Sequence, residues 1–170
     1  MADISLECDG FKFNFKNVND AYIFDEKDEN SFHYHGGFMK SVDLIVENDK
    51  AIFFIELKDY KITDCNNPDF GKYRESKRST QELISSLIYK FRDTYLYKFA
   101  EGMKFDKKVN YICLIEIEPA LKSILNKRLN QDLPVGAKGK RWKKALADSC
   151  CVVNIESWNR NFLNWKVSRI

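Results

Sequence analysis

Two short apolar runs separated by a polar turn constrain the fold of this chain more than any other feature. Residues 41–47 and 51–58 read SVDLIVE and AIFFIELK, and the turn between them reads NDK. Each run has the length and the Val, Ile and Phe content of a buried strand, so the segment predicts a β-hairpin in the core. Besides Glu47, which ends the first run beside the turn, these runs contain three charged residues, namely Asp43, Glu56 and Lys58. A strand that only fills a core does not need them.

The spacing across the turn decides whether these charged side chains meet. If Asn48-Asp49 is a two-residue turn, Glu47 faces Lys50, and Asp43 lies opposite Phe54 and one diagonal step from Glu56. Because side chains alternate between the faces of a strand, Phe54, Glu56 and Lys58 share the face of Asp43. A four-residue loop keeps this face, whereas a three-residue loop sends Asp43 to the opposite face.

The rest of the chain changes its hydrophobic period several times. Residues 72–100 carry apolar side chains at steps of three and four, which predicts one long amphipathic helix. Further strands are predicted on both sides of Asp9-Gly10 and at 31–40, 107–118 and 150–156; further helices are predicted at 17–30, 119–130 and 140–148. This order predicts an α/β fold in a single domain, 1–170, with a mixed central β-sheet flanked by helices.

Composition excludes several classes of protein. The five cysteines are an odd number and include no C-x-x-C pair, so neither a disulfide framework nor a zinc site is expected. The apolar runs are too short to span a bilayer, and the acidic N-terminus is unlike a signal peptide, so we expect a cytoplasmic protein that does not associate with membranes. Residues 1–70 hold 7 Lys/Arg against 15 Asp/Glu, whereas residues 71–170 hold 21 against 10. This asymmetry indicates a cation site beside a surface for anions, or solvated faces of unequal charge.

Burying the carboxylates of Asp43 and Glu56 in the hairpin is energetically unfavourable, and what could offset this cost indicates the chemistry of the site. Two carboxylates on one face repel each other, and their burial requires compensating positive charge. Lys58 supplies one unit, and a divalent cation would supply two. Mg²⁺ or Mn²⁺ could be held by Asp43, Glu56 and a backbone carbonyl such as that of Leu57. A lysine beside such an ion can assist an attacking water and offset charge on a phosphorane-like transition state, which indicates phosphodiester hydrolysis.

An Asp followed, after twelve intervening residues, by Glu-x-Lys on paired strands with a helix behind them resembles the PD-(D/E)XK nuclease superfamily. The resemblance implies a restriction-endonuclease-like fold with a core at about 30–117 and a basic C-terminal extension at 118–170. It implies a metal-dependent endonuclease in which Asp43 and Glu56 are metal ligands and Lys58 is the catalytic lysine. His35 could join the metal, as a His does in viral cap-cleaving members.

Two positions depart from the pattern of that superfamily. Val42 stands where the motif has its Pro. The additional metal-associated Glu of the superfamily has no clear counterpart, although Asp20, Asp25 and Glu26 are available.

Basic residues in two segments are candidate contacts for nucleic acid. The first group precedes or begins the long helix and consists of Lys72, Arg74, Lys77 and Arg78, with Gln81 one turn further on. The second group surrounds Trp142 and consists of Lys140, Arg141, Lys143 and Lys144. Lysines bind phosphates without reading sequence, and an aromatic ring can stack on an unpaired base. Both groups could equally be solvated or polar faces of helices.

Two functions therefore stay open. The first is a nuclease that acts on nucleic acid, with DNA favoured over RNA and a homodimer as one assembly seen in this superfamily. The second is a non-catalytic module of the same fold, binding nucleic acid or another protein, in which Asp43, Glu56 and Lys58 form only an ion-pair network. Stabilisation by divalent metal distinguishes the two.

Overall fold

The computed structural model describes residues 1–34, 37, 39–59, 77–136 and 143–170. These residues form one α/β domain with two sheets and three helices. In chain order the elements are β1 (Ala2–Cys8), β2 (Phe11–Val18), β3 (Asp20–Ile23), β4 (Leu44–Glu47), β5 (Ala51–Asp59), α1 (Lys77–Ala100), β6 (Lys108–Glu116), α2 (Pro119–Asp132), β7 (Ser149–Val153), α3 (Ile155–Asn161) and β8 (Trp165–Arg169).

The central sheet is mixed, as the sequence predicts. Its strand order is β3-β4-β5-β6-β7, with β5 in the middle. The first three strands pair antiparallel and the last three pair parallel. Parallel neighbours need a crossover connection, and α1 lies in the connection between β5 and β6. A second, three-stranded sheet has the order β1-β2-β8 and joins the two ends of the chain.

The two faces of the central sheet are covered by different structures. On one face, α1 and α2 bury a cluster that includes Phe54, Leu87, Phe91 and Tyr111. The Tyr111 hydroxyl donates to the Leu87 carbonyl at 2.9 Å, which ties β6 to α1. On the other face, the three-stranded sheet and α3 bury a cluster that includes Phe13 and Trp158, whose rings are 5.6 Å apart. The expectation of helices on both faces therefore holds only in part.

Several local predictions are confirmed. Asp9 and Gly10 form the turn of the N-terminal hairpin with φ of 47° and 79°, the positive values that a two-residue turn of this kind requires. Pro119 stands at the first turn of α2, where its missing N–H costs nothing. The long helix ends at Ala100, as its apolar period indicates.

Three predicted elements are wrong where the structure describes them. The acidic helix at 17–30 is replaced by β3, because the backbone of residues 20–23 pairs with β4 along the sheet edge and this pairing overrides a weak local preference. The described part of 31–40 forms turns, with one bridge from Tyr34 to Glu26. Residues 143–148 form bends instead of a helix, and Ala147 bridges to Val135.

Candidate functional site

The observed hairpin register brings the two carboxylates closer than the sequence predicts. Leu44 pairs with Ile55 and Ile45 with Phe54, so one further step places Asp43 across from Glu56. The predicted partner, Phe54, is wrong by two residues, because the loop is two residues longer than assumed. A shift of two residues preserves the face of every side chain, so the predicted convergence is retained.

The longer loop is built by one asparagine. The Asn48 side-chain oxygen accepts hydrogen bonds from the backbone N–H groups of Lys50 and Ala51 at 2.9 and 2.8 Å. The Asn48 N–H in turn donates to the Ala51 carbonyl at 3.0 Å. Asparagine commonly directs turns in this way, so the register follows from its side chain as well as from loop length.

Asp43 is fixed from three sides. Its Oδ2 accepts a hydrogen bond from the Leu57 N–H at 2.6 Å, which ties the carboxylate to β5. Its carbonyl accepts from the Phe24 N–H at 2.8 Å, just beyond β3. The neighbouring Val42 N–H donates to the Thr94 hydroxyl of α1 at 3.0 Å. The carboxylate is therefore held at the junction of β4, β5 and α1, and Asp43 as a whole is 5% exposed.

Glu56 is fully buried and is approached by two lysines. The Lys58 Nζ lies 3.1 Å from Oε1, and the Lys90 Nζ lies 2.9 Å from Oε2. The same Lys90 Nζ lies 3.5 Å from Asp43 Oδ1. Despite these ion pairs, neither Glu56 oxygen receives a well-aligned hydrogen bond from any residue that the structure describes.

Lys90 is the member of this cluster that sequence analysis missed. It projects from α1 with a side chain that is only 13% exposed. A signal was present, since Lys90 lies three residues after Leu87 and four before Thr94, both of which are buried. Residues at such spacing share one face of a helix, so a lysine there faces the sheet.

The raised pKa values of the two carboxyl groups show that burial disfavours their charged forms. Burial, together with the charge of Asp43, raises the pKa of Glu56 to about 8 despite the two nearby ammonium groups. Burial also raises the pKa of Asp43, against the opposing effect of Lys90 and the Leu57 hydrogen bond. Burial lowers the pKa of Lys90, but attraction to Glu56 and Asp43 outweighs it and the net shift is upward. Both carboxyl groups therefore hold a proton more tightly in the folded protein than they would in water.

The donor set fits a small divalent cation with few protein ligands. No group of three His, Cys, Asp or Glu residues suited to a metal occurs within the described parts of the chain. Mg²⁺ and Mn²⁺ prefer oxygen donors, and Mg²⁺ needs only one or two carboxylates beside water. Asp43 and Glu56 could provide these, and the Glu56 oxygens, to which no hydrogen bond from a described residue is assigned, could serve as ligands.

The remaining candidate ligands are His35, His33 and the acidic residues near β3. His35 lies outside the described residues. His33 stacks on Tyr22, with ring centroids 4.7 Å apart. Of the three acids considered for an additional carboxylate, Asp25 is the one whose charge raises the pKa of Lys90. Its Oδ1 accepts a hydrogen bond from the Ser41 hydroxyl at 2.7 Å.

The structure describes only some of the residues predicted to contact nucleic acid. Lys72, Arg74, Lys140 and Arg141 lie outside the described residues, and the side chains of Lys77 and Arg78 are not described. The backbone of Lys77 and Arg78 begins α1, and the thirteen helical steps from Lys77 to Lys90 correspond to about 20 Å along the helix. Gln81 is exposed and accepts from Arg128 of α2 at 3.2 Å, so it faces the second helix. Lys143 and Lys144 are exposed.

Comparison with known proteins identifies no relative. No protein-family model matches the chain, and no curated protein or solved structure is significantly similar to it.

Across the described ranges, none of the helices has the length and apolar character needed to cross a membrane.

Proposed function

We propose that the chain is a metal-dependent nuclease that hydrolyses phosphodiester bonds, with the PD-(D/E)XK arrangement on a restriction-endonuclease-like fold. The observation that carries this proposal is the convergence of Asp43, fully buried Glu56 and Lys58 at one end of the central hairpin. Such burial is costly for folding unless the carboxylates are paired with positive charge, from lysines or from a bound cation, and strongly perturbed carboxylates of this kind are common at functional sites.

Each residue has a role that its position supports. Asp43 and Glu56 would hold Mg²⁺ or Mn²⁺, with the Leu57 carbonyl as a further oxygen donor. The ion would supply the positive charge that promotes attack by water on the phosphate. Lys58 is the most exposed member of the cluster, with 32% of its side chain accessible. Its ammonium could therefore approach the substrate and offset charge that develops on the phosphoryl oxygens.

The substrate is proposed to be nucleic acid, with DNA favoured over RNA. The excess of positive over negative charge lies after residue 70, and the exposed pair Lys143 and Lys144 belongs to that part of the chain. Lysines of this kind contact the phosphate backbone without reading base sequence. Endonuclease action and a homodimer remain part of the proposal by resemblance to the superfamily.

The test is cleavage of labelled single- and double-stranded DNA and RNA in the presence of Mn²⁺, Mg²⁺ or EDTA. Lys58→Ala should abolish metal-dependent cutting. Lys107→Ala is the matched control, because Lys107 forms an ion pair with Glu47 at the opposite end of the hairpin. Cutting by wild type and Lys107→Ala but not by Lys58→Ala supports the assignment. Undiminished cutting by Lys58→Ala would remove it.

A non-catalytic module is the second candidate, and the charge balance of the cluster favours it. When both carboxylates are ionised, the ammonium groups of Lys58 and Lys90 balance their charge without a metal. In that case wild-type protein should cut no substrate, and neither Mn²⁺ nor Mg²⁺ should raise its melting temperature, since only a ligand that binds the folded state stabilises it.

A further inference from the structure

The position of Lys90 differs from that of Lys58 in one respect that bears on metal binding. Lys58 contacts a single oxygen, Glu56 Oε1, and its side chain is 32% exposed. Lys90 contacts both carboxylates, at 2.9 Å from Glu56 Oε2 and 3.5 Å from Asp43 Oδ1, and is 13% exposed. Its ammonium therefore occupies the place between the carboxylates that a bridging cation needs.

We propose that Lys90 and a divalent cation compete for the Asp43–Glu56 pair, so that cation binding releases the Lys90 ammonium from both carboxylates. This inference rests on the proposed metal site. An ion held by Asp43 and Glu56 would take the place between their oxygens that the ammonium now fills. The Lys90 ammonium would then lie within a few ångströms of a double positive charge, where repulsion is strong in a partly buried setting.

The Lys90 ammonium can move away from the carboxylates because its side chain is long and flexible. A lysine carries its charge on a flexible four-carbon stem, so the ammonium can move while α1 stays in place. The stem starts from a helix that Phe91 and Leu87 anchor in the core. Lys90 thus balances the negative charge of the two carboxylates while no metal is bound, and its ammonium moves away from them when a metal binds.

Calorimetric titration with Mn²⁺ tests the competition directly. Lys90→Met should bind Mn²⁺ about tenfold more tightly or better, because the competing charge is gone. Lys58→Met should show a smaller gain, since Lys58 contacts only one oxygen. Lys98→Met is the control, because Lys98 is a similarly buried lysine of α1 that pairs with Glu101 instead. Unchanged or weaker Mn²⁺ binding by folded Lys90→Met would refute the competition.

A measurement on wild-type protein covers the case in which Lys90→Met does not fold. Lysines are acetylated with and without saturating Mn²⁺, and the sites are quantified by mass spectrometry. The modification of Lys90 should rise severalfold with Mn²⁺, whereas that of Lys98 should not change. Constant modification of Lys90 in protein that calorimetry shows to be metal-bound would contradict the proposal.

The titrations also separate this inference from the proposed function. If Lys90→Met binds Mn²⁺ and wild type does not, the competition holds and the metal-dependent nuclease fails. If both bind with the same affinity, the nuclease proposal stands and the competition fails. If neither binds, both are wrong.

Discussion

Replacement of Lys90 by methionine should destabilise the metal-free protein, and the loss should grow with pH. The substitution keeps the apolar stem of the side chain and removes its charge. With an effective dielectric constant of 20, the contact of 2.9 Å with Glu56 corresponds to about 6 kcal/mol of attraction. Part of this is offset because Lys90 no longer has to be desolvated. Breaking a buried ion pair by removal of one partner typically costs about 3–5 kcal/mol, and the loss approaches this range only when Glu56 of the wild type is fully ionised, well above pH 8.

The pH dependence follows from the raised pKa of Glu56. The folded protein has a Glu56 pKa of about 8, above its ordinary value of 4.5, so the folded state holds the proton more tightly than the unfolded state. The free energy of unfolding of metal-free protein therefore falls as pH rises from about 4.5 to about 8. Without Lys90 the folded pKa is higher still, so the fall continues further. At pH 5.5 Glu56 is protonated in both folded proteins, and the variant should lose about 1 kcal/mol or less. The two stabilities diverge only above the wild-type pKa of about 8, by at most about 1.4 kcal/mol per pH unit, so the loss at pH 8.5 should be up to about 1 kcal/mol greater.

Urea unfolding at pH 5.5 and pH 8.5 in EDTA, followed by circular dichroism, measures these differences. Lys98→Met serves as control, because its partner Glu101 is more exposed and the loss should not grow between the two pH values. An equal loss for Lys90→Met at both pH values would show that packing of the stem, and not its charge, matters. No loss at pH 8.5 would show that the ammonium does not compensate the carboxylates.

Two further outcomes are expected. Asp43→Asn should keep the hairpin, because the amide oxygen can still accept a hydrogen bond from the Leu57 N–H. The variant should lose the increase in melting temperature that Mn²⁺ gives the wild type. If Mn²⁺ still raised its melting temperature, Asp43 would be excluded as a ligand. Asn154→Ala should cost about 1 kcal/mol in urea unfolding, because Asn154 caps α3 through the Ser157 N–H at 2.9 Å, and an unchanged midpoint would show that the cap is dispensable.

Alternation along the hairpin was enough to bring Asp43, Glu56 and Lys58 to one face. This prediction depends only on the period of two residues and on the parity of the loop, so it survived an error of two residues in register. The register itself was not predictable from the pattern, because Asn48 extends the loop through hydrogen bonds to the backbone. Local propensity also failed for β3, whose four residues form a strand only because β4 offers a pairing edge.

The sequence by itself determined the elements whose periodicity is strong and local: the two hairpins, the long helix α1 and the mixed α/β character of the sheet. Tertiary structure decided which distant segments meet. Strands β2 and β8, from opposite ends of the chain, pair to cover one face of the central sheet. Lys90 reaches the carboxylates only because α1 packs beside β5. Periodicity reports which face of an element is buried, whereas the partner of that face depends on how the elements pack together.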